Sequence, residues 1–353
     1  MNVMKTALAA SVALLMAGCG GGGSEAGTSF ESNGSGDSAQ AISEVSNAKA
    51  TQSRMSLSIS DYQLNWGTDG ETAEVTVQVA DTAGNPLTQA TKVQFSASAG
   101  IIQSSCTIPA GENGCTVTMS TNALGDRSVG GLAAITAWMV GEEAYIDNNG
   151  DLVADATDGN GRWDPGEPFY ETGKIYRDDD VSGGFSGADE LIVDNTYSDR
   201  LIGIGTSTCV QDSAAEPLLV PNSLQGTCDG VWGKTLIRAE RYVATSRSSG
   251  VRVEAATEDN EGDALSGTWV RVYTLALDGT SKVAAVTGTT VSVTTTVDGC
   301  SPEVSPADVP SNAVLPTYHR VVSDAAECAG GTATVKVASN GFERQVNVVM
   351  SAP

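Results

Sequence analysis

Asp147-Asn-Asn149-Gly-Asp151-Leu-Val-Ala-Asp155 sets oxygen-bearing side chains at relative positions 1, 3, 5 and 9, with Gly150 where the chain must turn sharply. Alternate residues of a tight turn converge on one point, and hard oxygen donors suit calcium. A second copy follows at Asp158-Gly-Asn160-Gly-Arg162-Trp-Asp164-Pro-Gly-Glu167. Arg162 stands there at the fifth position in place of a ligand type, and Asp164 and Glu167 close the shell instead. Tyr176-Arg-Asp178-Asp179-Asp180 is a third, degenerate run. The expected metal ligands are therefore Asp147, Asn149, Asp151, Asp155, Asp158, Asn160, Asp164 and Glu167. The competing reading is a solvated acidic loop whose Asp, Asn and Gly residues only make turns. Repeated ligand spacing favours calcium, as do the aromatics Trp163, Phe169 and Tyr170. These loops lie in a region where sixteen Asp or Glu stand against four Lys or Arg between Glu142 and Arg200, a net of −12. That is half of the chain's formal −24.

Other chemistry finds little support. His319, in Leu315-Pro-Thr-Tyr-His-Arg320, is the one histidine and has no partner in view. No GxSxG motif supplies a nucleophile. The clustered carboxylates that glycoside hydrolysis would need have a better account as metal ligands or turn residues. Gly20 to Gly23 follows no strand and precedes no Lys, so it is not a phosphate loop. Trp66, Trp138, Trp232 and Trp269 are expected in cores or interfaces rather than on a sugar platform. Nucleic-acid binding is disfavoured, because phosphate contacts need clustered Lys and Arg. The expectation is a protein that is not an enzyme.

The elements around the acidic segment read as strands. Ala73 to Ala80 places Val75, Val77 and Val79 on one face and Glu74, Thr76 and Gln78 on the other. Lys92 to Ser98 does the same with Val93, Phe95 and Ala97. Cys115 to Met119, Leu132 to Met139 and Lys234 to Ser246 are further β-rich runs. Thr268 to Leu277, Thr290 to Val297, Thr332 to Ala338 and Arg344 to Met350 follow in a second block. Period-two alternation broken by Gly, Asn, Asp and Pro turns predicts an all-β chain of antiparallel sandwiches.

The N-terminus carries Lys5, an apolar run from Ala7 to Met16, then Leu15-Met16-Ala17-Gly18-Cys19. A positive start, a short apolar core and small residues make a secretory signal, too short to span a bilayer. The last five residues resemble a bacterial lipoprotein signal, in which the cysteine becomes the lipidated first residue; Met16 stands where Leu is usual. The resemblance implies a lipid on Cys19, and Gly20 in place of Asp implies outer-membrane retention. Residues 19–54, rich in Gly, Ser, Ala and Asn, read as a flexible tether.

Val75-Thr-Val-Gln-Val-Ala-Asp-Thr-Ala-Gly-Asn-Pro-Leu87, Val93-Gln-Phe-Ser-Ala-Ser-Ala-Gly100, Thr121-Asn-Ala-Leu-Gly125 and Ala134-Ile-Thr-Ala137 resemble bacterial immunoglobulin-like domains of the invasin and intimin kind. The likeness covers 56–140 and resumes loosely at 231–250. It implies an immunoglobulin-like β-sandwich, from which a long acidic loop insertion between the last two strands departs; the second block, which lacks the family's asparagine-proline turn, reads as a tandem immunoglobulin-like β-sandwich. The acidic loops resemble EF-hand-like runs in exported bacterial immunoglobulin-like proteins. Expected boundaries are a signal at 1–18, a tether at 19–54, a first domain at 55–250 with its insertion at about 141–230, a polar linker at 251–265 and a second domain at 266–353.

Six cysteines remain beside Cys19, an even number in an exported chain. Proximity alone pairs Cys106 with Cys115, Cys209 with Cys228 and Cys300 with Cys328, among fifteen connectivities. Each short loop limits its bridge to about 2–3 kcal/mol. The reading is a lipid-anchored outer-membrane protein at the cell surface, adhesive or structural, with calcium as its cofactor. Its partners would be the membrane, through the N-terminal lipid, and a surface protein, matrix or glycan. The alternatives are a carbohydrate-binding module, a periplasmic scaffold, or a filament subunit that self-associates.

Overall fold

The computed structural model describes residues 49–122, 128, 130–145, 169–192, 224, 226–228, 233–323 and 326–351. The architecture is all-β. The strands of the first sandwich are β1 (Ser56–Ile59), β2 (Thr72–Gln78), β3 (Thr91–Ala97), β4 (Ile101–Ile102), β5 (Ser105–Ile108), β6 (Gly114–Ser120) and β7 (Leu132–Glu142). After β7 come the short strands β8 (Ala144–Tyr145), β9 (Phe169–Tyr170), β10 (Tyr176–Arg177) and β11 (Glu190–Leu191), then β12 (Lys234–Ala244). One sheet has the order β1-β2-β6-β4 and the other β12-β7-β3-β5, all antiparallel. This is the immunoglobulin-like arrangement of two sheets joined by crossovers. Val75, Val77, Val93, Phe95 and Met119 fill the space between them with Trp66.

β7 and β12 depart from simple alternation. Ile135, Ala137 and Met139 point into the sandwich, yet Thr136 is also fully buried and Trp138 and Val140 are half-buried. A strand covered on both faces reads as a continuous apolar run, as Leu132 to Val140 does. The second cover is the insertion, whose Ile175 and Ile192 pack with Leu236, Trp138 and Val140.

The second sandwich has β13 (Val251–Glu258), β14 (Ala264–Leu275), β15 (Lys282–Val283), β16 (Thr290–Thr295), β17 (Glu303–Ser305), β18 (Thr317–Val322), β19 (Thr332–Ser339) and β20 (Phe342–Val349). Its sheets run β13-β14-β18-β17, with β15 also paired to β14, and β16-β19-β20, a five-on-three immunoglobulin-like arrangement. Val270, Val272, Val291, Val321, Val335 and Val337 form its core.

Two sequence expectations change. Residues 251–265 are not a linker: Val251 to Glu258 pairs with β14 along its length. Val251 is buried in the core, while Glu254 faces outward and bonds Arg271, Tyr273 and Lys282. Burial opposes ionisation of Glu254, but donation from Lys282, Arg271 and Tyr273 holds its carboxyl down at about 2. An edge strand with one charged face resembles a polar linker in composition. The tether also ends earlier than residue 54. Ala50, Thr51 and Gln52 are buried, with the Thr51 N–H donating to Ala80 O and the Glu142 N–H to Ala50 O.

The sandwiches meet without a spacer, six residues separating β12 from β13. Ala244, Val283 and Ala284 are buried together against Leu132 and Ala313. Thr287 Oγ1 donates to Asp61 Oδ1 at 2.6 Å, Ser246 Oγ to Ala284 O at 2.6 Å, and Tyr62 N–H to Ser311 O at 2.9 Å. Gly131 has φ +85°, and a Cβ there would lie 2.7 Å from Ala276 Cβ. This contact requires glycine.

Cys106–Cys115 joins β5 to β6, so it staples one sheet to the other, and Cys300–Cys328 closes the second sandwich. Cys228 is disulfide-bonded. Cys19 and Cys209 lie outside the described residues.

Candidate metal centre

Carboxylates of Asp178, Asp180 and Asp189 come together on the outer face of the β12-β7 pair, with one oxygen from each within 4.8 Å of the others. Three like charges at that separation favour a cation between them. The loop is held at its base by the β10–β11 pair and by the Ile192 N–H donating to Ile175 O. It runs twelve residues from Asp178 to Asp189. Counted from Asp178, oxygen side chains fall at positions 1, 3, 5, 9 and 12 (Asp178, Asp180, Ser182, Ser186, Asp189), with glycine at position 6 (Gly183). Gly183 has φ +76°, the conformation the tight turn of a calcium loop demands.

Hydrogen bonds preset these carboxylates. Asp178 Oδ1 accepts from the Ser182 N–H at 3.0 Å and Oδ2 from the Gly183 N–H at 2.8 Å. Asp180 accepts from the Ser182 N–H at 3.1 Å and from Ser186 Oγ at 2.8 Å. Donation from Ser182 and Ser186 holds the Asp180 carboxyl below the usual carboxylate range. Asp189 accepts from the N–H groups of Asp179, at 2.9 Å, and Ser186, at 2.6 Å. Each carboxylate oxygen retains lone-pair capacity for a cation. Three carboxylates form an all-oxygen donor set, which fits calcium or magnesium better than a softer metal.

Asp178 is the buried member and ties the loop to the sandwich. Tyr242 on β12 donates to Asp178 Oδ2 at 3.3 Å and to Glu240 Oε1 at 3.1 Å. Burial, then the Glu240 and Asp178 charges, push the Tyr242 hydroxyl far above its ordinary pKa, so it stays a donor. Glu240 also accepts from Thr136 Oγ1 at 2.5 Å and pairs with Arg238 at 3.4 Å. Arg238 lies 5.1 Å from the centre of the Tyr176 ring. Arg177 pairs with Asp179 and Glu190 and reaches Ser96 on β3. The roots of the insertion are clamped by Glu143, which accepts from the N–H groups of Thr172, at 2.7 Å, and Gly233, at 3.0 Å.

The eight ligands expected from sequence, Asp147, Asn149, Asp151, Asp155, Asp158, Asn160, Asp164 and Glu167, lie outside the described residues. The run read as degenerate is the one the described residues assemble. Ser182, Gly183 and Asp189 lie beyond the run expected from sequence, which ends at Asp180; the signal for them is the full Asp-x-Asp-x-Ser-Gly-x5-Asp spacing. His319 sits on β18 inside the second sandwich. Its Nδ1 is 2.7 Å from Pro306 O and its Nε2 2.9 Å from Thr317 Oγ1, so both nitrogens are engaged in a structural role. Trp66 is core, and Trp138 lies beneath the insertion.

No family model matches the chain, and no curated protein matches it. Among solved structures, the D0-D1 domain of Intimin is similar at 12% identity and a TM-score of 0.23, over 83% of this chain and 97% of that one. The sandwich assignment rests on strand order and pairing rather than on that likeness.

Proposed function

We propose that this is an exported, non-catalytic envelope protein whose two sandwiches act as a stiff spacer in adhesion or in an extracellular structure. A lipid on Cys19 and the tether hold it at the outer membrane, and calcium in the Asp178–Asp189 loop fastens the acidic insertion to the first sandwich. The observation that carries this reading is the spacer-free junction. Buried Ala244, Val283 and Ala284 and the Thr287–Asp61 and Ser246–Ala284 hydrogen bonds join the sandwiches end to end. Flexibly linked domains have polar interfaces and free relative motion by default; a buried junction suits a part that transmits load or sets distance. The chain enters beside Glu142, at the end of β7 away from Leu132, which packs at the second sandwich.

Proteinase treatment of intact cells, followed by immunoblotting with and without outer-membrane permeabilisation, tests the surface assignment. Loss of the protein from intact cells supports it. Protection until permeabilisation contradicts it and directs the search to periplasmic partners.

A further inference from the structure

β12 is the outer strand of its sheet, with β7 as its strand partner. At its middle the backbone is met by a side chain. The Arg238 N–H donates to Gln52 Oε1 at 2.9 Å, and the Arg238 carbonyl accepts from Gln52 Nε2 at 2.7 Å. One buried amide thus fills the donor and the acceptor that a further strand would take. Hydrogen-bonding direction alternates along a strand, so Leu236, Glu240, Tyr242 and Ala244 present their backbone groups on the same side as Arg238. The Ala244 N–H is taken by Tyr62 O at 2.8 Å, and the Glu240 carbonyl by the Arg241 guanidinium at 2.9 Å. Exposed strand edges invite pairing with another chain, and proteins block them explicitly.

The edge is also self-complementary. Two antiparallel copies of β12 related by a two-fold axis at Ala239 place Arg238 of each opposite Glu240 of the other, and Leu236 opposite Tyr242. Neighbouring symmetric registers that keep the hydrogen bonding would set Arg238 opposite Arg238, or Glu240 opposite Glu240. Opposite charges directly across a strand pair stabilise and like charges destabilise, so one register is selected. A two-fold interface of this kind closes on itself.

We propose that β12 is a guarded self-association edge. Gln52 keeps the chain monomeric, and when its amide leaves Arg238 the strand pairs with β12 of a second copy in the Arg238–Glu240 register. The partner is the chain itself.

The test is sedimentation velocity on the mature full chain and on its Gln52→Leu variant, which keeps side-chain bulk without either hydrogen bond. The wild type is expected as a monomer and Q52L at twice its mass, with slowed amide exchange at Leu236 and Tyr242. A folded Q52L that stays monomeric overturns the proposal. Amide exchange on the wild type carries the test should Q52L fail to fold. Strong protection of Arg238 with fast exchange at Leu236 and Tyr242 supports a guard at one point; fast exchange at all three overturns it.

Discussion

The Tyr242 hydroxyl on β12 donates to Asp178, the first residue of the acidic loop, at 3.3 Å. The candidate metal loop is thereby tied to the first sandwich through a phenol that also donates to Glu240.

Replacing Tyr242 with Phe keeps the ring and removes the donor. Two carboxylates then lose a partner where water reaches poorly, at a cost of about 1–3 kcal/mol. Chemical denaturation measures that cost. Hydrogen exchange should rise first in Tyr176–Ile192, with β19 and β20 unchanged.

The junction makes a separate prediction. Gly131→Ala introduces a Cβ 2.7 Å from Ala276 Cβ and 2.9 Å from Val283 Cγ1, at a φ of +85°. Overpacking and the left-handed backbone together should cost about 2–4 kcal/mol. Calorimetry should show one melting transition separating into two, and small-angle scattering a broader distribution of shapes. An unchanged single transition would count against a rigid junction.

His319 gives the second sandwich a pH dependence. Burial holds its pKa below the ordinary value of 6.5 against opposing donation to Pro306 and the Asp308 charge. The folded state therefore favours neutral histidine. The stability it contributes is complete above about pH 6.5 and falls as pH drops toward the lowered value. His319→Gln should flatten the fall in melting temperature between pH 7 and pH 5, and an identical slope would assign the fall to other groups.

The sandwich strands were legible where one face is buried and the other wet, as in Val75, Val77 and Val79, because period two leaves no other reading. Edge strand β13 was hidden because Glu254, Glu258 and the acids of the following turn mask a sparse apolar face. β7 lost its alternation to burial on both sides, which depends on an insertion whose docking the strand alone cannot reveal. Cysteine proximity foresaw Cys106–Cys115 and Cys300–Cys328. The metal loop was half legible: Asp178 and Asp180 stood out as a charge run, but Asp189 lies across a stretch of Gly, Ser, Phe and Ala that resembles ordinary turn sequence. The wiring through Tyr242, Glu240 and Arg238 was not legible, since it joins residues more than sixty positions apart through a strand register.

The most direct measurement is the melting temperature of the mature chain in millimolar calcium and in chelator, for the wild type and for an Asp178→Asn, Asp189→Asn double variant. A ligand that binds only the folded state stabilises it by mass action. The account predicts that calcium raises the wild-type transition by several degrees and that the double variant loses part or all of that rise. Equal melting temperatures for the wild type in calcium and chelator would contradict it.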